Sequence, residues 1–283
     1  MTKEIAYGME FNVRSLGPIE AKLVLTLEER RSTVIDVTAA ASILGDSDKA
    51  RTALLRLERK GWLERVSKGR YVLHPSSTGH LDARVISPMK YAGSIAPDTY
   101  VGWWAAAEHH GLTWQHPTLI RVAATRQLRA RDFEDTRIEF VKVSVNKFFG
   151  FEVTRDGFAV STIAKTVIDC IDKPKYAGGF AEVGIILGNG LNKVTVDDLI
   201  DSAIKNGSTS TLQRLGFYLD VVRPKLFHAR ARDTLLEEIG SSSRSTMGSG
   251  RPSKGDFGYQ AAWQLQVNLN KTAFLGEVDR FGD

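Results

Sequence analysis

Apolar positions in the first quarter of the chain follow helical spacing, then alternate, in an order that specifies a small domain. Ile19, Leu23 and Leu27 share one face of a segment opening on Pro18, so a helix is expected over Pro18–Arg31. Thr33–Val37 is β-branched and reads as a short strand, and Thr38–Leu44 as a helix ending in a turn at Gly45. Ala50, Ala53, Leu54 and Leu57 then recur at i, i+3, i+4 and i+7, the narrow apolar stripe of a second amphipathic helix. Asp46 or Ser47 supplies the oxygen that caps its free amide groups, and Gly61 ends it. Leu63–Val66 and Arg70–Leu73 pair as strands across Ser67-Lys68-Gly69. Helix, turn, helix and hairpin make the layout of a winged helix-turn-helix, which the turn-rich run His74–Gly79 closes.

The remainder predicts a mixed region. A helix is expected over Pro97–His110, stopped by Gly111. Strands follow at Thr118–Ala124, Arg137–Ser144, Phe148–Thr154 and Gly157–Ser161, with a hairpin turn at Arg155-Asp156-Gly157. Ser161 or Thr162 caps a helix to about Asp172, whose apolar face is Ile163, Val167, Ile168 and Ile171. Further helices are expected at about Phe180–Leu187, Thr195–Asn206, Ser210–Val222 and Arg232–Ile239, with Gly188-Asn189-Gly190 as a turn between helices. Gly240–Asp256 is rich in Gly and Ser and reads as a mobile loop. Ala262–Asn268 and Ala273–Val278 read as a final hairpin. The expected fold is α+β: a winged helix-turn-helix over 1–80, then a larger mixed α+β region over 81–283, divisible into 81–175 and 176–283.

Charge sharpens the reading. Between Ser47 and Arg70 eight basic residues stand against three acidic ones, an excess equal to the +5 of all 283 residues. Facing away from the apolar stripe, Ser47, Lys49, Arg51, Thr52, Arg56 and Arg59 are the candidates for DNA contact, because a major groove accepts one helix and arginine forks match guanine edges or phosphates. Arg56 lies beside Leu57, where it can brace the fold instead. Lys68 and Arg70 mark the wing, placed to reach phosphates or a minor groove. A second basic cluster, Arg126, Arg129 and Arg131, reads as a loop site for phosphate or an acidic protein, with Asp132, Glu134 and Asp135 close enough to neutralise it.

Other chemistry is sparse. His109, His110 and His116 lack the spacing of metal ligands, since adjacent helical residues diverge by about 100°. No phosphate-cradling glycine loop or GxSxG is present, and Glu277-Val278-Asp279 lacks the lysine that follows the acidic end of a nuclease strand. No enzyme activity, cofactor or metal is expected. One cysteine, Cys170, excludes an internal disulfide and fits a reducing compartment. No signal peptide or apolar run of membrane-spanning length is read, so a cytoplasmic protein without a membrane partner is expected.

Three blocks carry a family likeness. The segment RTALLRLERKGWLERVSKGRYVL joins an arginine-leucine helix, a Gly-Trp-Leu turn and a Gly-x-Tyr-Val strand, a combination shared with many bacterial regulators. TYVGWWAAAEHHGLTWQHP and VSTIAKTVIDCIDKPKYAGGFAEV are more specific, the latter through Lys165, Thr166, Asp169, Pro174, Gly178 and Gly179. On the residues alone, Thr166 and Asp169 can also brace a helix and Gly178-Gly179 can simply permit a turn. From about Val34 to Leu187 the chain resembles the AbiEi antitoxins of type IV toxin–antitoxin (abortive infection) systems. That resemblance implies a repressor of its own operon that binds inverted repeats in operator DNA. It also implies a functional partner of the AbiEii nucleotidyltransferase-toxin type, in some systems counteracted without a stable complex. Two other readings remain open: a winged-helix transcription factor whose C-terminal domain senses a small molecule, and a nucleic-acid-processing enzyme.

Overall fold

A computed structural model describes residues 14–78, 86–241 and 244–281. It divides into two compact units, Met1–Pro97 with Val153–Phe158, and Asp98–Glu152 with Ala159–Asp283. The expected boundary at residue 80 thus falls inside the first unit, to which a distant hairpin turn also contributes.

The first unit is a winged helix. Its elements are α1 (Pro18–Glu29), β1 (Val34–Asp36), α2 (Val37–Leu44), α3 (Ser47–Arg59), β2 (Leu63–Ser67) and β3 (Arg70–Leu73). A further helix, α4 (Pro88–Ser94), was not expected; Ser87 caps it by accepting from the Lys90 amide at 3.2 Å. Strand β1 joins the hairpin through β3, all pairs antiparallel, giving the order β1-β3-β2. Leu23, Val24, Leu27, Ile35, Leu54, Leu57 and Tyr71 close over one core, with all four residues of the α3 stripe buried. Gly45 takes φ 75° between α2 and α3, the left-handed conformation that lets the second helix of the motif turn away from the first. Asp46, not Ser47, is the cap of α3, and its Oδ1 accepts from the amides of Asp48 (2.8 Å) and Lys49 (2.9 Å). Such a cap contributes about 1 kcal/mol.

The second unit contains β4 (Thr99–Gly102), α5 (Trp103–His109), β5 (Leu119–Ala124), β6 (Arg131–Phe133), β7 (Thr136–Lys142), β8 (Phe151–Val153, its last residue counted with the first unit) and β9 (Ala159–Ser161). These strands form one sheet ordered β6-β7-β5-β4-β9-β8, with β5 parallel to β7 and antiparallel to β4. Helices α6 (Ile163–Asp172), α7 (Phe180–Gly190), α8 (Val196–Asn206), α9 (Thr209–Val222) and α10 (Ala229–Ile239) follow. The chain ends with β10 (Ser245–Gly248), β11 (Asp256–Gln260), β12 (Leu265–Asn270) and α11 (Lys271–Phe281). Helix α6 lies at the centre, packed against α5, α7, α8 and α9, and buries Val167, Ile168, Cys170 and Ile171.

Several expectations are corrected. The single helix Pro97–His110 is strand β4 followed by α5; Thr99–Gly102 is buried throughout, between β5 and β9, so no alternation betrayed it. The expected loop Gly240–Asp256 contains β10, which runs parallel to β12 and inserts Met247 into the core. Ala273–Val278 is helical, not a strand, because Phe274 and Val278, four apart, both bury against the α7 side; β12 pairs with β10 and β11 instead. Gly188-Asn189-Gly190 belongs to α7, and Glu277 and Asp279 stand on a helix. Among the described residues no helix is long and apolar enough to cross a membrane.

Candidate nucleic-acid interface

Helix α3 turns its buried stripe inward and leaves Ser47, Lys49, Arg51, Thr52, Arg56 and Arg59 exposed. At about 100° per residue, Thr52 and Arg59 lie at the middle of that outer face, Arg51 on one flank, Lys49 and Arg56 on the other. Two of the cations have local partners: Arg51 pairs with Asp48 at 3.2 Å and Lys49 with Asp46 at 3.7 Å. Both pairs are solvent-exposed, worth about 0–1 kcal/mol, so a phosphate can displace the acid at small cost. The Thr52 hydroxyl donates to the Asp48 carbonyl at 2.9 Å.

Lys49 and Arg56 border a shallow depression shared with Ile19 and Glu20 of α1. Glu20 is buried there, accepting from the Gly17 amide at 2.7 Å and from Lys60 Nζ at 2.5 Å. Burial pushes its pKa up, but these bonds and the charges of Lys60 and Arg56 outweigh it and hold it below the ordinary value. Arg56 therefore stands in the field of a structural carboxylate, although its side chain remains open to solvent. Sequence gave no sign of the Glu20–Lys60 pair, whose members are forty positions apart.

At the wing the two expected cations differ. Lys68 is exposed at the tip, and Arg65 on β2 adds an exposed cation to the same hairpin. Arg70 is not presented there: its Nε donates to the Ser94 carbonyl at 2.7 Å, and it ion-pairs with Asp36 at 3.8 Å. Ser67 reinforces the anchor by donating from Oγ to the Ile95 carbonyl at 2.7 Å. Arg70 thus ties the wing to the α4 segment.

Helix α3 and the wing tip thus present exposed basic side chains on the winged helix. Residues 22–74 match the family of AbiEi-antitoxin transcriptional regulators. The resemblance read from the sequence is borne out over that segment, the AbiEi-type winged helix; the second and third blocks lie outside it. No curated protein matches the chain. Among solved structures, the RV2827C protein from Mycobacterium tuberculosis superposes with a TM-score of 0.57 at 16% identity, covering 94% of this chain and 95% of that one. At that identity the likeness is one of fold.

Beyond the AbiEi-type winged helix, the second basic cluster takes a definite form. Arg126 and Arg129 lie exposed between β5 and β6, whereas Arg131 opens edge strand β6. Asp132 is committed to Arg137, which donates to both its oxygens at 2.9 and 3.0 Å, and Glu134 and Asp135 form the tight turn into β7.

Residues of the third block are largely internal. Lys165 and Asp169, one turn apart on α6, form an ion pair buried on both sides. Tyr100 donates to the second Asp169 oxygen at 3.3 Å, and Lys165 Nζ also lies 4.7 Å from the centre of the Phe149 ring. Burial raises the pKa of Asp169 against the pull of Lys165, and burial beside Asp169 raises that of Tyr100. The Thr166 hydroxyl bonds to Ser161. Gly178 is exposed and Gly179 precedes α7, both at positive φ. Cys170 is fully buried, which pushes its thiol up.

His110 is half-buried; its Nε2 donates to the Ser161 carbonyl at 2.6 Å, and desolvation lowers its pKa. His116 pairs with Glu108 at 2.5 Å. Among the described residues no group of three or more His, Cys, Asp or Glu is placed to hold a metal ion.

Proposed function

We propose that the protein is the antitoxin of a type IV toxin–antitoxin system and that it represses its own operon by binding inverted repeats in operator DNA. The observation that carries the DNA half is the exposed basic face of α3, with Lys68 at the wing tip, on the segment that matches AbiEi regulators. Arginine and lysine at these positions suit base edges and phosphates in a major groove. In this reading Ser47, Lys49, Arg51, Thr52, Arg56, Arg59 and Lys68 contact DNA, while Arg70 positions the wing. The Arg126-Arg129-Arg131 cluster adds phosphate contacts. The antitoxin half rests on the family match alone, with a nucleotidyltransferase-type toxin as functional partner and no catalysis by this chain.

Gel-shift titration of the DNA upstream of the gene tests the first half: the combined Arg51→Ala, Lys68→Ala variant, verified as folded, loses operator binding, and unchanged affinity refutes the assignment. Co-expression with an adjacent nucleotidyltransferase frame tests the second half through rescue of growth.

A further inference from the structure

At the end of the strands away from the wing tip, the first unit contains a crevice of about 370 Å³. Leu27 and Glu28 of α1, Thr33, Leu73, the Pro75–Ser77 run and Arg155 line it. Clefts that hold small molecules begin at about 300 Å³.

Two arginines frame the crevice. Arg31 and Arg155 are both exposed, and no described carboxylate forms an ion pair with either. The turn carrying Arg155 is docked beside α1 by the Thr33 hydroxyl, which donates to the Asp156 carbonyl. Gly157 at φ 78° permits this approach, since a Cβ there would collide with Thr33. Glu28, the acid of the wall, is engaged: its Oε1 accepts from the Ser76 amide at 2.6 Å.

Arg31 also has an uncommon backbone. Its φ is 51°, and it follows the C-cap of α1 in a motif where Ser32 bonds back to Leu27 (2.9 Å) and Arg31 to Glu28 (3.0 Å). That position favours glycine, because a side chain is strained in the left-handed region. A long cation held there, lining a crevice that a second cation also lines, is a local conflict of the kind that accompanies ligand clamps.

We propose that this crevice binds a small phosphate-bearing molecule, with Arg31 and Arg155 gripping phosphate oxygens and the Ser76 and Ser77 hydroxyls donating beside them. Guanidinium forks suit phosphate because two parallel donors meet two oxygens. The site is separate from the α3 face and independent of the operator reading.

Titration calorimetry on the full chain with pyrophosphate, and in parallel with adenosine monophosphate, at fixed ionic strength tests it. Saturable binding of at least one probe is expected, weakened at least tenfold in Arg31→Gly and in Arg155→Ala, and retained in Lys49→Ala, Arg51→Ala, Lys68→Ala. Arg31→Gly keeps the fold, because glycine relieves the left-handed position, so loss of binding there is not loss of structure. No saturable binding of either probe overturns the proposal. So does binding that survives both arginine substitutions or is lost only in the α3 and wing variant.

Discussion

Arg137 holds both carboxylate oxygens of Asp132, at 2.9 and 3.0 Å, across the antiparallel β6–β7 pair. The acid nearest the Arg126-Arg129-Arg131 run in sequence is therefore directed to a different arginine.

Triple substitution of Arg126, Arg129 and Arg131 to alanine is expected to flatten the salt dependence of operator binding and to reduce cooperativity on a two-repeat operator. Exposed charges of this kind contribute about 0–1 kcal/mol to stability, so the variant stays folded. Toxin rescue persists. Loss of rescue with operator binding intact would move the cluster to the antitoxin activity.

The DNA contacts proposed for α3 and the wing are expected to divide by type. Replacing a base-reading arginine, with Arg51 the foremost candidate, costs about 1–3 kcal/mol of binding and relaxes preference at one base pair. Lys68→Ala weakens all sequences alike, as a phosphate contact does. With ~6 phosphate contacts, affinity drops by about 10³ between roughly 50 and 200 mM salt. Gel-shift titrations over a set of single-base operator variants distinguish the two classes.

Arg70→Ala is expected to act through the fold. It removes a charged hydrogen bond to the Ser94 carbonyl and the pairing with Asp36, a loss of about 1.5–3 kcal/mol. Urea unfolding shows the loss directly. If stability is unchanged while DNA binding falls, Arg70 contacts phosphate after all.

Glu20 gives the first unit an acid limb. Its folded pKa lies below the ordinary 4.5, so its stabilisation is fully present above that value and is lost as pH falls through the folded pKa. Glu20→Gln is expected to lower stability at neutral pH and to flatten the decline below about pH 4.5. Unfolding curves at a series of pH values check both parts.

The Lys165–Asp169 pair is expected to behave as a unit. Lys165→Met leaves a buried carboxylate without its cation and costs about 3–5 kcal/mol, whereas Lys165→Met with Asp169→Leu recovers much of that loss. In the single variant burial and the neighbouring Asp172 charge act on Asp169 without an opposing cation and raise its pKa. Because a raised carboxylate pKa stabilises only the protonated native state, that variant loses stability as pH rises from acid toward neutral. Denaturant melts of Lys165→Met, Asp169→Leu and the double variant decide whether the pair is coupled.

The winged helix was legible because its determinants are local. A stripe at Ala50, Ala53, Leu54 and Leu57, a cap at Asp46 and glycines at the turns act within one or two helical turns, so the sequence by itself determined α3, the hairpin and the basic outer face. Helix α6 was legible for the same reason, through Thr162 and its apolar face. What only the tertiary structure decided depends on residues far apart in the chain. Thr99–Gly102 is a strand because β5 and β9 flank it, and Ser245–Gly248 is one because β12 completes its hydrogen bonds twenty residues later. Arg70 is tied back to the Ser94 carbonyl, and the buried Glu20 keeps its charge beside Lys60, because residues distant in the chain are brought within reach. Periodicity and capping chemistry report whether a segment can bury one face. They carry no information about which distant carbonyl, cation or strand edge will be waiting there.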